Sequence, residues 1–79
     1  MKVRKNIAIS DSGFLFNPST GDSFSMNPIG HEILQMIQDE KSEMDIIDEI
    51  TANYAIDKNT VEKDLYDFIN MLKTHKLIE

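Results

Sequence analysis

Cysteine is absent from this 79-residue chain, so disulfides and thiolate metal sites are excluded. Basic residues are few: 8 Lys and Arg stand against 14 Asp and Glu, a net charge of −6 at pH 7. That balance favours solubility and opposes a phosphate-rich partner such as nucleic acid. The 3 glycines are dispersed, so there is no glycine-rich phosphate loop. No window approaches the roughly 20 apolar residues of a membrane span. The start, Met1 to Lys5, is basic, but the apolar stretch after it is too short and too polar for a signal peptide. These absences lead to the expectation of a soluble, cytoplasmic, monomeric domain with no membrane or nucleic-acid partner.

Catalytic constellations are missing as well. His31 and His75 are the only histidines, far apart, and neither has a His or Cys at metal-ligand spacing. Asp45, Asp48 and Glu49 read as a solvated helix face, and Ser42 is explained by helix capping. A chain this short buries only about 60% of its unfolded surface. Residues 1–79 therefore make one domain with a thin core, in which most apolar side chains are needed simply to fold. Little remains for a deep, dry cleft, so a binding module without metal or cofactor is expected, not an enzyme.

What is present divides by period. Val3, Ile7 and Ile9 alternate imperfectly as a first strand, and Asp11-Ser12-Gly13 supplies turn chemistry. Phe14-Leu15-Phe16 is a short second strand, and Asn17 to Gly21 is a dense loop signal. The third strand, Asp22 to Met26, is the most informative segment. Phe24 and Met26 point one way and Ser23 and Ser25 the other, before the chain runs directly into a helix start. Short connections imply an antiparallel meander.

Asn27 suits an N-cap and Pro28 the first helical position. Ile29, Ile33, Leu34 and Ile37 mark the buried face of the first helix, which Asp39-Glu40-Lys41 ends. Ser42, with Asp45 three residues on, opens a second helix whose stripe is Ile46, Ile47, Ile50 and Tyr54. Asp57 or Asn59 caps a third, with Val61, Leu65, Phe68, Ile69 and Leu72 as its apolar row. Leu77 and Ile78 form a tail that docks on the core, and Met26, Met36, Met44 and Met71 are expected to fill core gaps. The fold class is α+β: a three-stranded antiparallel sheet followed by three helices, winged helix-turn-helix-like.

In a three-stranded meander the third strand is an edge, and no proline interrupts Asp22 to Met26. Ser23 and Ser25 are too small to block an approaching backbone, so this edge is suited to holding another peptide by strand addition.

Across residues 5 to 78 the chain resembles the PqqD family, the peptide-recognition element of ribosomal peptide modification systems. The resemblance rests on Phe14-Leu15-Phe16-Asn17, Phe24-Ser25-Met26-Asn27, Ile33-Leu34, and Ile46-Ile47 with Ile50 and Tyr54. Its most specific part is Val61-Glu62-Lys63-Asp64-Leu65, followed by Phe68-Ile69, Leu72 and Leu77-Ile78. Two departures fall at helix ends. Asp39 is followed by Glu40 where the family often has glycine, and Lys76 stands where a glycine commonly precedes the final apolar pair.

The resemblance implies a non-catalytic chaperone. It would bind the leader segment of a ribosomally made precursor peptide and present it to a modifying enzyme, often a radical S-adenosylmethionine enzyme. The leader would add beside the third strand, in a groove walled by the third helix. The peptide-binding residues expected on that basis are Asp22, Ser23, Phe24, Ser25 and Met26 from the strand. Val61, Leu65 and Ile69 are expected as the helical wall, with Lys58 and Glu62 as a polar rim. The alternative is a winged-helix DNA-binding regulator. It is disfavoured because the start of the third helix carries Asp57, Glu62 and Asp64 against only Lys58 and Lys63.

Overall fold

The computed structural model describes residues 1–79. Its elements are β1 (Ala8–Ile9), β2 (Phe14–Asn17), β3 (Asp22–Ser25), α1 (Pro28–Gln38), α2 (Glu43–Tyr54) and α3 (Lys58–Thr74). The strands form one antiparallel sheet in the order β1-β2-β3, which leaves β3 at an edge. This is the expected α+β meander followed by three helices.

β1 is shorter than the spacing of Val3, Ile7 and Ile9 suggests. Val3 leaves the sheet and makes an isolated antiparallel bridge with Ile78. The Arg4 N–H donates to the Leu77 carbonyl at 3.0 Å and the Glu79 N–H to the Lys2 carbonyl at 2.8 Å. The amino-terminal segment is thus tied to the carboxy-terminal tail, and Leu77 and Ile78 are buried as expected.

Alternation in β2 puts Leu15 and Asn17 inward and Phe14 and Phe16 outward. Leu15 is the sheet's fully buried contribution to a core otherwise made largely of Leu34, Ile37, Ile46, Ile50, Leu65 and Leu72 from the helices. Asn17 turns its side chain to the loop, where Oδ1 accepts the Ser19 N–H at 3.0 Å. Gly13, at φ 90°, closes the β1–β2 turn in a left-handed conformation that suits glycine.

Asn27 caps α1 by accepting the Gly30 N–H at 2.7 Å, and Ser42 caps α2 by accepting the Asp45 N–H at 3.1 Å. Asp57, not Asn59, caps α3. At the other ends, Glu40 (φ 62°) and Lys76 (φ 57°) adopt the left-handed conformation usually given to glycine. Each is followed by a bond that closes the helix: Lys41 N–H to the Met36 carbonyl at 3.0 Å, and Leu77 N–H to the Leu72 carbonyl at 2.9 Å. The helix-closing geometry survives at both departures from the family pattern.

Two expectations for individual side chains are corrected. Tyr54 is not part of the buried stripe of α2; its ring is exposed and its hydroxyl donates to Glu32 on α1. Of the methionines, Met36 fills the core, Met44 is 62% exposed, and Met26 and Met71 are only partly buried. The last two line a groove between β3 and α3.

Candidate functional site

The open edge of β3 follows from its register. β2 and β3 pair Phe14 with Ser25, Leu15 with Phe24, Phe16 with Ser23 and Asn17 with Asp22. The Met26 N–H donates to the Gly13 carbonyl at 2.8 Å, so Met26 faces the ladder. In an antiparallel pair, inward-bonding and outward-facing residues alternate. Phe24 therefore bonds across to Leu15, while the N–H and C=O groups of Ser23 and Ser25 point away from the sheet. No main-chain partner occupies that side. The serine side chains stand on the outer sheet face opposite Phe16 and Phe14, which are 43% and 54% exposed.

The inner side of the same strand opens into a cavity of about 510 Å³. Phe24 and Met26 form one wall, Phe68 and Met71 of α3 with its C-cap residue His75 the other, and Asn27 and Gly30 the end near α1. The Phe24 ring sits 4.8 Å from the His75 ring, centroid to centroid, tilted by 55°. Gly30 permits a close approach here. A Cβ on it would lie 3.0 Å from Asn27 Oδ1, 3.6 Å from the Phe68 ring and 3.7 Å from Met26 Cβ. Met26 and Met71 give the walls flexible, polarizable surface that can adapt to different guest side chains.

The five strand residues expected at the site, Asp22, Ser23, Phe24, Ser25 and Met26, lie together along this edge, four of them lining the cavity. The five helical ones do not. Val61, Leu65 and Ile69 are 3%, 1% and 4% exposed and belong to the core. Lys58 and Glu62 flank a separate depression between α2 and α3 with Met44 and Tyr66. On a helical wheel this row lies roughly 150° round α3 from the residues that face β3. Phe68, Met71 and His75 were not among the expected site residues; Phe68 was read only as part of the apolar row of α3, and Met71 and His75 follow it at spacings of 3 and 7. That second helical period was the available signal.

The sequence matches the family described as Coenzyme PQQ synthesis protein D (PqqD) over residues 13–78. This chain belongs to the PqqD family. Among solved structures it is similar to TbiB1 in complex with the TbiA(beta) leader peptide. The two share 33% identity and a TM-score of 0.89, over 100% of this chain and 95% of TbiB1. A lasso peptide synthetase B1 complexed with the leader peptide shares the fold. It has 23% identity and a TM-score of 0.84, over 94% of this chain and 91% of that one. No curated protein matches.

No helix is long and apolar enough to cross a membrane. No group of three or more His, Cys, Asp or Glu side chains is arranged to hold a metal ion.

Proposed function

We propose that this PqqD-family protein is a non-catalytic chaperone that binds the leader segment of a ribosomally synthesised precursor peptide and presents it to a modifying enzyme. The observation that carries this reading is the open edge at Ser23 and Ser25 directly beside the cavity of Phe24, Met26, Phe68, Met71 and His75. A guest strand takes main-chain hydrogen bonds from the two serines. Every second guest side chain then turns into the cavity, and the others lie on the outer face with Phe14 and Phe16. The likeness to a TbiB1–leader complex supports it. Ordering a flexible leader opposes binding, so micromolar affinity, on the order of −8 kcal/mol, is expected.

The binding set proposed is Asp22 to Met26 with Phe68, Met71 and His75. Val61, Leu65 and Ile69 act by holding α3 in place. DNA reading is not favoured by the α3 surface. Asp57 is spent on the cap, Lys58 lies 3.9 Å from Asp48, and Asp64 and Asp67 face outward. For the receiving enzyme, the family resemblance points to the radical S-adenosylmethionine class. A different modifying enzyme encoded beside this gene would remove that class and leave the binding role intact.

The test is an NMR titration with the leader of a precursor peptide encoded next to this gene. Amide shifts concentrated on Ser23, Ser25, Phe68, Met71 and His75 are expected. Shifts confined to Lys58, Glu62 and Tyr66 would place the peptide elsewhere.

A further inference from the structure

Phe68 stands between the cavity beside β3 and another. A second cavity, of about 420 Å³, lies between α1 and α3 and shares Asn27, Gly30 and Phe68 with the first. Its other lining residues are Ile29, Ile33, Asp64 and Asp67. The floor is apolar and the α3 rim is acidic. Neither Asp64 nor Asp67 takes part in the protein's ion pairs, which are Lys2–Glu40, Lys41–Glu49 and Lys58–Asp48.

The residues lining the two cavities form one row along α3. Asp64, Phe68, Met71 and His75 are spaced 4, 3 and 4 apart, so they share a face, with Asp67 at its outer margin. From Asp64 to His75 the helix rises about 16 Å, the length of about five residues of extended chain. Phe24 meets the His75 end of this row, and Met26 lies by Gly30 and Phe68. A peptide paired with Ser23 and Ser25 and running past Met26 is thus led toward the acidic end.

Resting on the leader-binding reading, we infer that the bound peptide continues beyond the β3-paired stretch into the second cavity. There it places an apolar side chain over Ile29, Ile33 and Phe68, and a lysine or arginine against Asp64 and Asp67. Apolar complementarity comes from the floor and charge complementarity from two carboxylates with no partner of their own. The site therefore prefers leaders in which a basic residue lies at a fixed distance from the apolar residues held beside β3. An acidic residue at that position is rejected by like-charge repulsion.

The test is selection of binders from a random 15-residue peptide library displayed on their own mRNA, against the wild-type protein and the Asp64→Asn/Asp67→Asn variant. A second variant, Asp45→Asn/Glu79→Gln, changes net charge equally and leaves the groove alone. Wild-type and control selections are expected to enrich Lys or Arg at one fixed spacing from an apolar pair. The Asp64→Asn/Asp67→Asn selection should keep the pair and lose the basic residue. A selected peptide should bind that variant about tenfold more weakly than wild type, with a shallower salt dependence. Unchanged basic enrichment in that variant, equal loss in the control, or apolar enrichment alone in wild type would overturn the inference while leaving strand addition standing. Failure to enrich any peptide on wild type would remove the leader-binding reading, and this inference with it.

Discussion

Two rows of α3 run side by side and meet different surroundings. Val61, Leu65, Ile69 and Leu72 lie in the core. Phe68, Met71 and His75, turned by roughly 85° about the helix axis, face the inner side of β3 across a cavity. The first row is aliphatic and sealed. The second is aromatic and sulfur-bearing, and stays partly open. In a protein this small, one helix both closes the core and walls the candidate groove. Which task a side chain performs depends on a rotation of less than a quarter turn, not on its hydrophobicity.

The sharpest way to break this comparison is to truncate one residue from each row. Leu65→Ala empties a site that is 1% exposed and should cost about 2–5 kcal/mol, a large share of a small domain's stability. Thermal denaturation would show it as a marked drop in Tm. Apparent leader affinity should fall with it, through loss of folded protein. Phe68→Ala should do the reverse, with a smaller loss of stability and about a tenfold loss of leader affinity by calorimetry. A Leu65→Ala protein that melts like wild type, or a Phe68→Ala protein that binds normally, would erase the distinction between the rows.

Next in size comes the strand edge. Ser25→Pro removes an N–H that points away from the ladder, so the fold should persist and leader affinity should fall about tenfold. Phe24→Pro removes an N–H bonded across to Leu15, so it should lower Tm as well. If the two variants behave alike, the alternation assigned to β3 is mistaken.

Most of the architecture was legible in the sequence, because each element carries its own local signal. Asn27 and Ser42 at helix starts, alternation in Asp22 to Met26, and the run of isoleucines in α2 all act over a few residues. The strand side of the candidate groove was legible for the same reason. Its helical side was not. Val61, Leu65, Phe68, Ile69 and Leu72 all fit one broad apolar face, and periodicity alone does not divide that face between core and groove. The division depends on where β3 docks, which is a tertiary fact. Tyr54 illustrates the same limit. Its spacing fits the α2 stripe, yet its position in the last turn places it on the surface beside Glu32.

Smaller effects sharpen the comparison by lying outside both rows. Glu40 and Lys76 hold left-handed conformations that glycine adopts without penalty. Glu40→Gly and Lys76→Gly should each stabilise by about 0.5 kcal/mol, part of the gain being offset by the greater freedom of glycine in the unfolded chain. Neither should alter leader affinity, although Lys76 directly follows His75. A change in affinity with Lys76→Gly would mean that the end of α3 positions the groove.

The smallest expected effect is alkaline. The hydrogen bond to Glu32, then partial burial and the carboxylate's charge, push the Tyr54 hydroxyl above its ordinary value. In the unfolded chain a tyrosine titrates near about 10. Between that value and the higher folded one, the native state holds more protons than the unfolded state, so stability falls as pH rises. The Tyr54 contribution is therefore fully present below about pH 10 and is lost as pH climbs through the folded value. Lys41 acts with the same sign, because its hydrogen bond to Glu49 and that group's charge raise it. Denaturant melts from pH 8 to 11 should show a steeper alkaline decline in wild type than in Tyr54→Phe, with a residual slope from Lys41. Identical slopes would mean that the Tyr54–Glu32 bond does not persist in solution.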